Sequence, residues 1–129
     1  MEKVKINTVN APQAIGSYEQ AIKVGNMVYT SGQIGLKADG TMAGECIKEQ
    51  TAQVMQNLKA VLEAAGSSLD KVIKATIFIK DMTEFKVIDE VYSSFFDGSY
   101  PARSCVEVSR LPKNVRVEIE AIAIAISSI

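Results

Sequence analysis

The sequence predicts an α+β fold: a single, mainly antiparallel or mixed sheet with two helices packed on one face. Three observations predict it. Two strand-like runs flank Gly25-Asn26, a pair of turn residues that tolerate the positive φ of tight hairpins. Two stretches repeat their apolar residues at three and four, and each runs on into a strand-like segment. The strand-like runs Ala102 to Ser109 and Val115 to Ile126, joined by a Leu111-Pro112-Lys113-Asn114 turn, read as a second pair, and the last of them is apolar on both faces in its second half. The chain has 129 residues, enough for one domain with a real core, taken as 1–129, and too few for two comfortable ones.

The elements follow in order. Val4 and Ile6 alternate with lysines and start a short strand, and Asn7 to Gln13 reads as loop around Pro12. Tyr18 to Val24 and Met27 to Thr30 form the hairpin about Gly25-Asn26. The second of these strands runs into Ser31-Gly32-Gln33-Ile34-Gly35, where two close glycines mark a bulge or a backbone N–H open to a ligand. Asp39-Gly40 is a turn. Glu45 to Ala65 is the long helix, with Ile47, Thr51, Val54, Met55, Leu58, Val61, Leu62 and Ala65 on its apolar stripe. Gly66 is placed to end it, and Cys46 is taken as helix packing.

Val72 to Lys80 alternates as a strand, with Ile73, Ala75, Ile77 and Ile79 on one face. Asp81, with Glu84 three residues later, resembles a capping box opening the second helix. Phe85, Ile88, Val91, Tyr92, Phe95 and Phe96 form that helix's stripe, read as core, and Gly98 is expected to end it. Pro101 fixes entry into a strand from Ala102 to about Ser109. On it Arg103, Cys105 and Glu107 alternate with Ala102, Ser104, Val106 and Val108. Leu111-Pro112-Lys113-Asn114 turns the chain into the last strand, so the two strands are expected to form a second hairpin-like pair. Helices on one side leave the other sheet face bare, and an apolar bare face calls for a homo-oligomer.

Composition excludes several functions. Hydrophobic residues make up 47% and charged residues 22% of the chain, a globular rather than disordered balance. With 14 basic and 15 acidic residues and no basic run, nucleic-acid binding is not expected. There is no histidine, so the commonest general base and metal ligand is missing. Cys46 and Cys105, the only cysteines, suggest neither a zinc site nor a disulfide framework. The segment from Met1 to Lys5 holds no signal-peptide core, and no run is long enough to span a membrane. A reducing, cytoplasmic setting is the expectation.

Several residues carry two readings. Arg103 is a planar, permanently charged fork suited to a carboxylate or phosphate, or a strand-end arginine paired with a surface acid. Glu118 is a candidate proton carrier, or a strand-surface acid paired with Arg116 or a lysine. Cys105 is a possible nucleophile, but no histidine is present to activate it, and a small buried residue fits as well. Tyr18 by itself reads as strand core or hairpin surface.

Pro101-Ala102-Arg103-Ser104-Cys105-Val106-Glu107-Val108-Ser109-Arg110-Leu111-Pro112, followed by Val117-Glu118-Ile119-Glu120-Ala121-Ile122-Ala123, resembles the signature of the RidA (YjgF/YER057c/UK114) family. Ala11-Pro12 with Ile15-Gly16-Ser17-Tyr18, the run Val28 to Ile34, and the helix ending Ala64-Ala65-Gly66 are similar to that family too. The resemblance implies a chorismate-mutase-like homotrimer with sites in the clefts between subunits. It implies hydrolysis of reactive enamines and imines, such as 2-aminoacrylate, to 2-keto acids and ammonium, with no metal or cofactor. These intermediates escape from pyridoxal-phosphate enzymes. By the same resemblance Arg103 grips the substrate carboxylate, Glu118 holds or activates water, and Tyr18 covers the site. Gly32 and Cys105 match positions whose backbone groups face the ligand. The alternative is a trimer without catalysis that binds a small carboxylate or acts on a partner protein.

Overall fold

A computed structural model describes residues 2–125; Met1 and Ile126, both used in the sequence reading, lie outside them. Strand β1 (Lys3–Ile6) leads through a loop to β2 (Ala21–Val24) and β3 (Met27–Thr30). Helix α1 (Ile47–Ala64), β4 (Val72–Ile79), α2 (Phe85–Ser93), β5 (Ala102–Glu107) and β6 (Val117–Ile124) follow. The six strands make one sheet in the order β1-β2-β3-β6-β4-β5. Every pairing is antiparallel except β4 with β5. The expected α+β class, one mixed sheet with two helices, is what forms. Among the described residues no helix is long and apolar enough to cross a membrane.

The β2–β3 hairpin turns at Gly25-Asn26, with Gly25 at φ 60° and Val24 opposite Met27. Helix α1 ends as its sequence indicates. Gly66 takes φ 79°, its N–H donates to Glu63 O, and Ser67 N–H donates to Leu62 O, the pair of bonds that closes a helix with a left-handed residue. Val54, Leu58, Val61 and Leu62 of α1 then meet Val28, Ile77, Ile119 and Ala121 of the sheet in one core. Each large apolar side chain so buried contributes roughly 1.5–3 kcal/mol.

Several expectations need correction. The strands β5 and β6 do not form a hairpin: β4 lies between them, parallel to β5 and antiparallel to β6. The doubly apolar β6 takes a central place, and β5, with its arginine, serine and glutamate, takes the edge that charged strands suit. Because β4 and β5 are parallel, α2 serves as the crossover between them. On β4 a register shift between Val72 and Lys74 turns Val72 inward and leaves Ile73 exposed, so Ile73 does not share the face of Ala75, Ile77 and Ile79. Helix α2 stops at Ser93, before Gly98, with Ser93 and Ser94 hydroxyls donating to the carbonyls of Glu90 and Val91. Phe95 and Phe96 still pack on the core from the turn that follows. Cys46 is exposed, and its Sγ caps α1 by accepting from Glu49 N–H at 3.5 Å; it packs no helix.

Asp81 accepts from Thr83 N–H, but Glu84 does not reach back to close a capping box and instead pairs with Arg116. On the uncovered sheet face, Tyr29, Ile73, Val106 and Ile124 are exposed.

Candidate active site

Arg103 sits on edge strand β5, opposite Ala75 of β4, on the face that the helices cover. Its surroundings come from one stripe of α2. Phe85, Asp89 and Tyr92 are spaced at four and three residues, so they share a helix face. The guanidinium carbon lies 5.2 Å from the ring centres of both Phe85 and Tyr92, within cation–π range. Arg103 Nη1 donates to Asp89 Oδ1 at 2.6 Å. The aromatic stripe read as core is therefore core and arginine cradle at once. Arg103, Asp89 and Tyr92, with Ser93, Tyr100 and Pro101, line a cavity of about 510 Å³. The Tyr92 hydroxyl is buried and has no partner among the described residues.

Cys105 follows two residues later on the same face, opposite Ile77 and packed against the core. Burial pushes its thiol above the ordinary value, Asp89 adds to this, and Arg103 only partly opposes it. A thiol so held stays protonated near neutrality and is a poor nucleophile. That favours the reading of Cys105 as a small, half-buried residue.

Glu118 sits on β6 opposite Phe78 of β4, on the uncovered face. Val117, Ile119, Ala121 and Ala123 of the same strand are buried in the core, so alternation turns Glu118 and Glu120 outward. Arg116, the partner offered by the surface-acid reading, is engaged by Glu84. Glu118 is left with burial and the neighbouring Glu120 carboxylate, and both push its pKa above the usual carboxylate range, burial more than charge. A carboxyl group held this way can carry a proton at a pH where ordinary surface acids cannot.

Beside it runs the glycine segment. Gln33 and Ile119 exchange backbone hydrogen bonds at 2.9 and 3.1 Å, which lays residues 31–34 along β6. Gly32 thereby meets the Glu118 side chain: a β-carbon there would stand 2.8 Å from Glu118 Cδ and 2.9 Å from its Cγ. A side chain at this position would push the carboxyl group away from the place it holds here. Tyr18, 46% exposed, lies in the loop before β2 rather than on a strand. Together with Ile15, Ser31, Lys113 and Glu120, these residues border a cavity of about 860 Å³. Lys113 and Asn114 both take φ 56°, a left-handed pair in the turn on the rim of this cavity.

Within one protomer the five predicted site residues thus fall into two groups. Arg103 and Cys105 lie on the covered face at one edge. Tyr18, Gly32 and Glu118 gather at a second cavity, with Glu118 on the opposite face.

Sequence reasoning missed the residues that hold these groups. Asp89 was overlooked because an acid on a short helix looks like solvated surface. Gln20, 2% exposed, ties down the loop that carries Tyr18: its Oε1 accepts from Thr8 N–H at 2.7 Å and its Nε2 donates to Pro12 O at 2.8 Å. Asn57 of α1 donates to the carbonyls of Ile34 and Leu36 at 3.0 and 2.8 Å, pinning the glycine segment from behind. The available signal was a polar residue on an otherwise apolar stripe, since a buried amide must find partners.

Residues 8–125 match the family model described as Endoribonuclease L-PSP. The chain belongs to that family. It is the RidA family that the motifs around Arg103 and Glu118 resemble. A RutC family protein of Pyrococcus horikoshii is 54% identical, over 94% of this chain and 97% of that one. The 2-iminobutanoate/2-iminopropanoate deaminase of Salmonella typhimurium is 46% identical, over 92% of this chain and 95% of that one. Among solved structures, Escherichia coli TdcF with bound serine superposes with a TM-score of 0.90 at 46% identity, covering 94% of this RidA-family chain and 98% of TdcF.

Proposed function

We propose that this RidA-family chain is a 2-iminobutanoate/2-iminopropanoate deaminase. It hydrolyses 2-imino acids and their enamine tautomers, such as 2-aminoacrylate, to 2-oxo acids and ammonium. Its site is shared between neighbouring subunits of a homotrimer. The observation that carries the shared site is a separation: the Arg103 guanidinium and the Glu118 carboxyl group, whose pKa is raised, lie on opposite faces of the same sheet. A neighbour that brings its Glu118 cavity against the β5 edge joins the two halves. The exposed apolar residues of the bare sheet face supply the surface for that contact. The names of relatives at 45–46% identity over almost the whole chain support the reaction.

The geometry suits the chemistry. A 2-imino acid is already electrophilic at C2, so the protein needs to hold its carboxylate, place a water and move protons. Arg103 keeps donors beyond the one given to Asp89, and a guanidinium binds a carboxylate through two parallel N–H groups. Water adds to C2 of the imine, and the π pair of the C=N bond moves to nitrogen. Glu118 takes the proton released by the water and returns it to nitrogen. The hydroxyl proton of the resulting carbinolamine then passes, through Glu118, to the amino group. The C–N bond breaks with its pair leaving on ammonia, the oxygen's pair closes the C=O of the 2-oxo acid, and ammonia takes a proton from solvent to become ammonium. An enamine enters the same path once its methylene carbon has been protonated. Tyr18, at the mouth of the cavity, covers the reacting centre.

The test couples the protein to a pyridoxal-phosphate dehydratase that releases 2-aminoacrylate from serine. Release of pyruvate should exceed the spontaneous rate. Arg103→Ala should lose about a hundredfold or more of that gain, the scale of a lost positioning contact, while keeping its fold and mass in solution. Lysine at this position should not restore it, because a point charge lacks the fork. Full activity in Arg103→Ala would remove Arg103 from the site, and no acceleration by the unaltered protein would remove the reaction.

A further inference from the structure

Asp89 is a carboxylate already seated on the group that is to bind a carboxylate. It bonds Arg103 at 2.6 Å and borders the same cavity, with the Asp89 side chain 44% exposed and the Arg103 side chain 26%. Two effects compete here. An acid can help by orienting the guanidinium, or hinder by cancelling its charge and repelling a second anion. The rings of Phe85 and Tyr92, each 5.2 Å from the guanidinium carbon, already fix the orientation from the same helix. What Asp89 adds beyond them is its negative charge, and unit charges a few ångströms apart in a half-buried cavity interact appreciably.

We propose that Asp89 is a positioning residue that weakens this site's hold on carboxylates, by placing a fixed anion on Arg103 next to the incoming one. The proposal rests on the reading of Arg103 as the carboxylate anchor. Its consequence is a site that captures its substrate loosely and releases the 2-oxo acid product readily.

Asp89→Asn separates charge from shape. The amide oxygen can accept the same bond from Nη1, the size is unchanged, and the exposed side chain leaves folding intact. The measurement is calorimetric titration with 2-oxobutanoate and with its uncharged amide, 2-oxobutanamide, beside the dehydratase-coupled assay. Asp89→Asn should bind 2-oxobutanoate about tenfold more tightly, the scale of one charge–charge repulsion removed. It should bind 2-oxobutanamide as the unaltered protein does, a contrast that a merely structural role would not produce. Equal or weaker binding of 2-oxobutanoate by Asp89→Asn overturns the proposal. So does an equal gain for the amide, and so does failure of both proteins to bind. Tighter binding without turnover in either protein would uphold the role of Asp89 and overturn the deaminase reading. Turnover with no change in binding would do the reverse.

Discussion

At the scale of single residues, the proposed site turns on a carboxyl group kept where a carboxylate is uncomfortable. Burial and Glu120 both raise the pKa of Glu118. A folded-state pKa above the unfolded one means that the folded protein binds this proton more tightly. Stability from this group therefore grows as pH falls through the folded pKa and is full below the unfolded one; at neutral pH the charged form is a cost. Glu118→Gln should accordingly melt about 2 °C higher than the unaltered protein at neutral pH, with the gap closing as the pH is lowered through the folded pKa. The same variant should lose its deaminase activity. In the unaltered protein, the acid limb of kcat/KM should lie above the usual carboxylate range. A lower melting point with retained activity would mean that Glu118 is an ordinary structural acid. Gly32 belongs to the same balance, since its missing side chain is the space that Glu118 fills.

At the scale of elements, much was legible because period and punctuation agreed. Gly25 in the hairpin turn and Gly66 at the end of α1 each take the positive φ that the place demands. Pairing across β4 was not legible, because a short loop such as 108–116 suggests a hairpin until it is known that β6 must be central. The bulge at Val72 was hidden too, since nothing in Val72-Ile73 tells which of two β-branched residues turns inward. For the candidate site, Arg103, Glu118, Tyr18, Gly32 and Cys105 were named through motif resemblance. Asp89, Gln20 and Asn57 were not, because their roles exist only through partners distant in sequence. Asn57 tests that point. It is buried, and both its amide hydrogens go to carbonyls of the segment that follows Gly32. Asn57→Ala should cost about 1–3 kcal/mol, the penalty of leaving buried acceptors unpaired. Chemical denaturation reads that loss. Hydrogen exchange should show faster opening at residues 33–36 than in the rest of the sheet, and uniform exchange would argue against α1 as the support of this segment.

At the scale of the whole molecule, the central claim is that no single protomer holds a complete site. Arg103 and Cys105 face the helices, whereas Glu118 faces away from them beside Gly32. In the proposed trimer, the bare sheet face with its exposed Tyr29, Val106 and Ile124 is the surface for the neighbour that would join them. Subunit mixing tests this most directly. Arg103→Ala and Glu118→Gln chains, each inactive alone, are refolded together in equal amounts and assayed with the coupled dehydratase. In a closed ring with random assembly, about a quarter of the sites take an intact Arg103 from one chain and an intact Glu118 from its neighbour. The mixture should therefore recover activity to about that fraction, in a particle of trimeric mass. A mixture as inactive as its parents, despite verified exchange of subunits, would contradict the shared site and require both residues to act within one protomer.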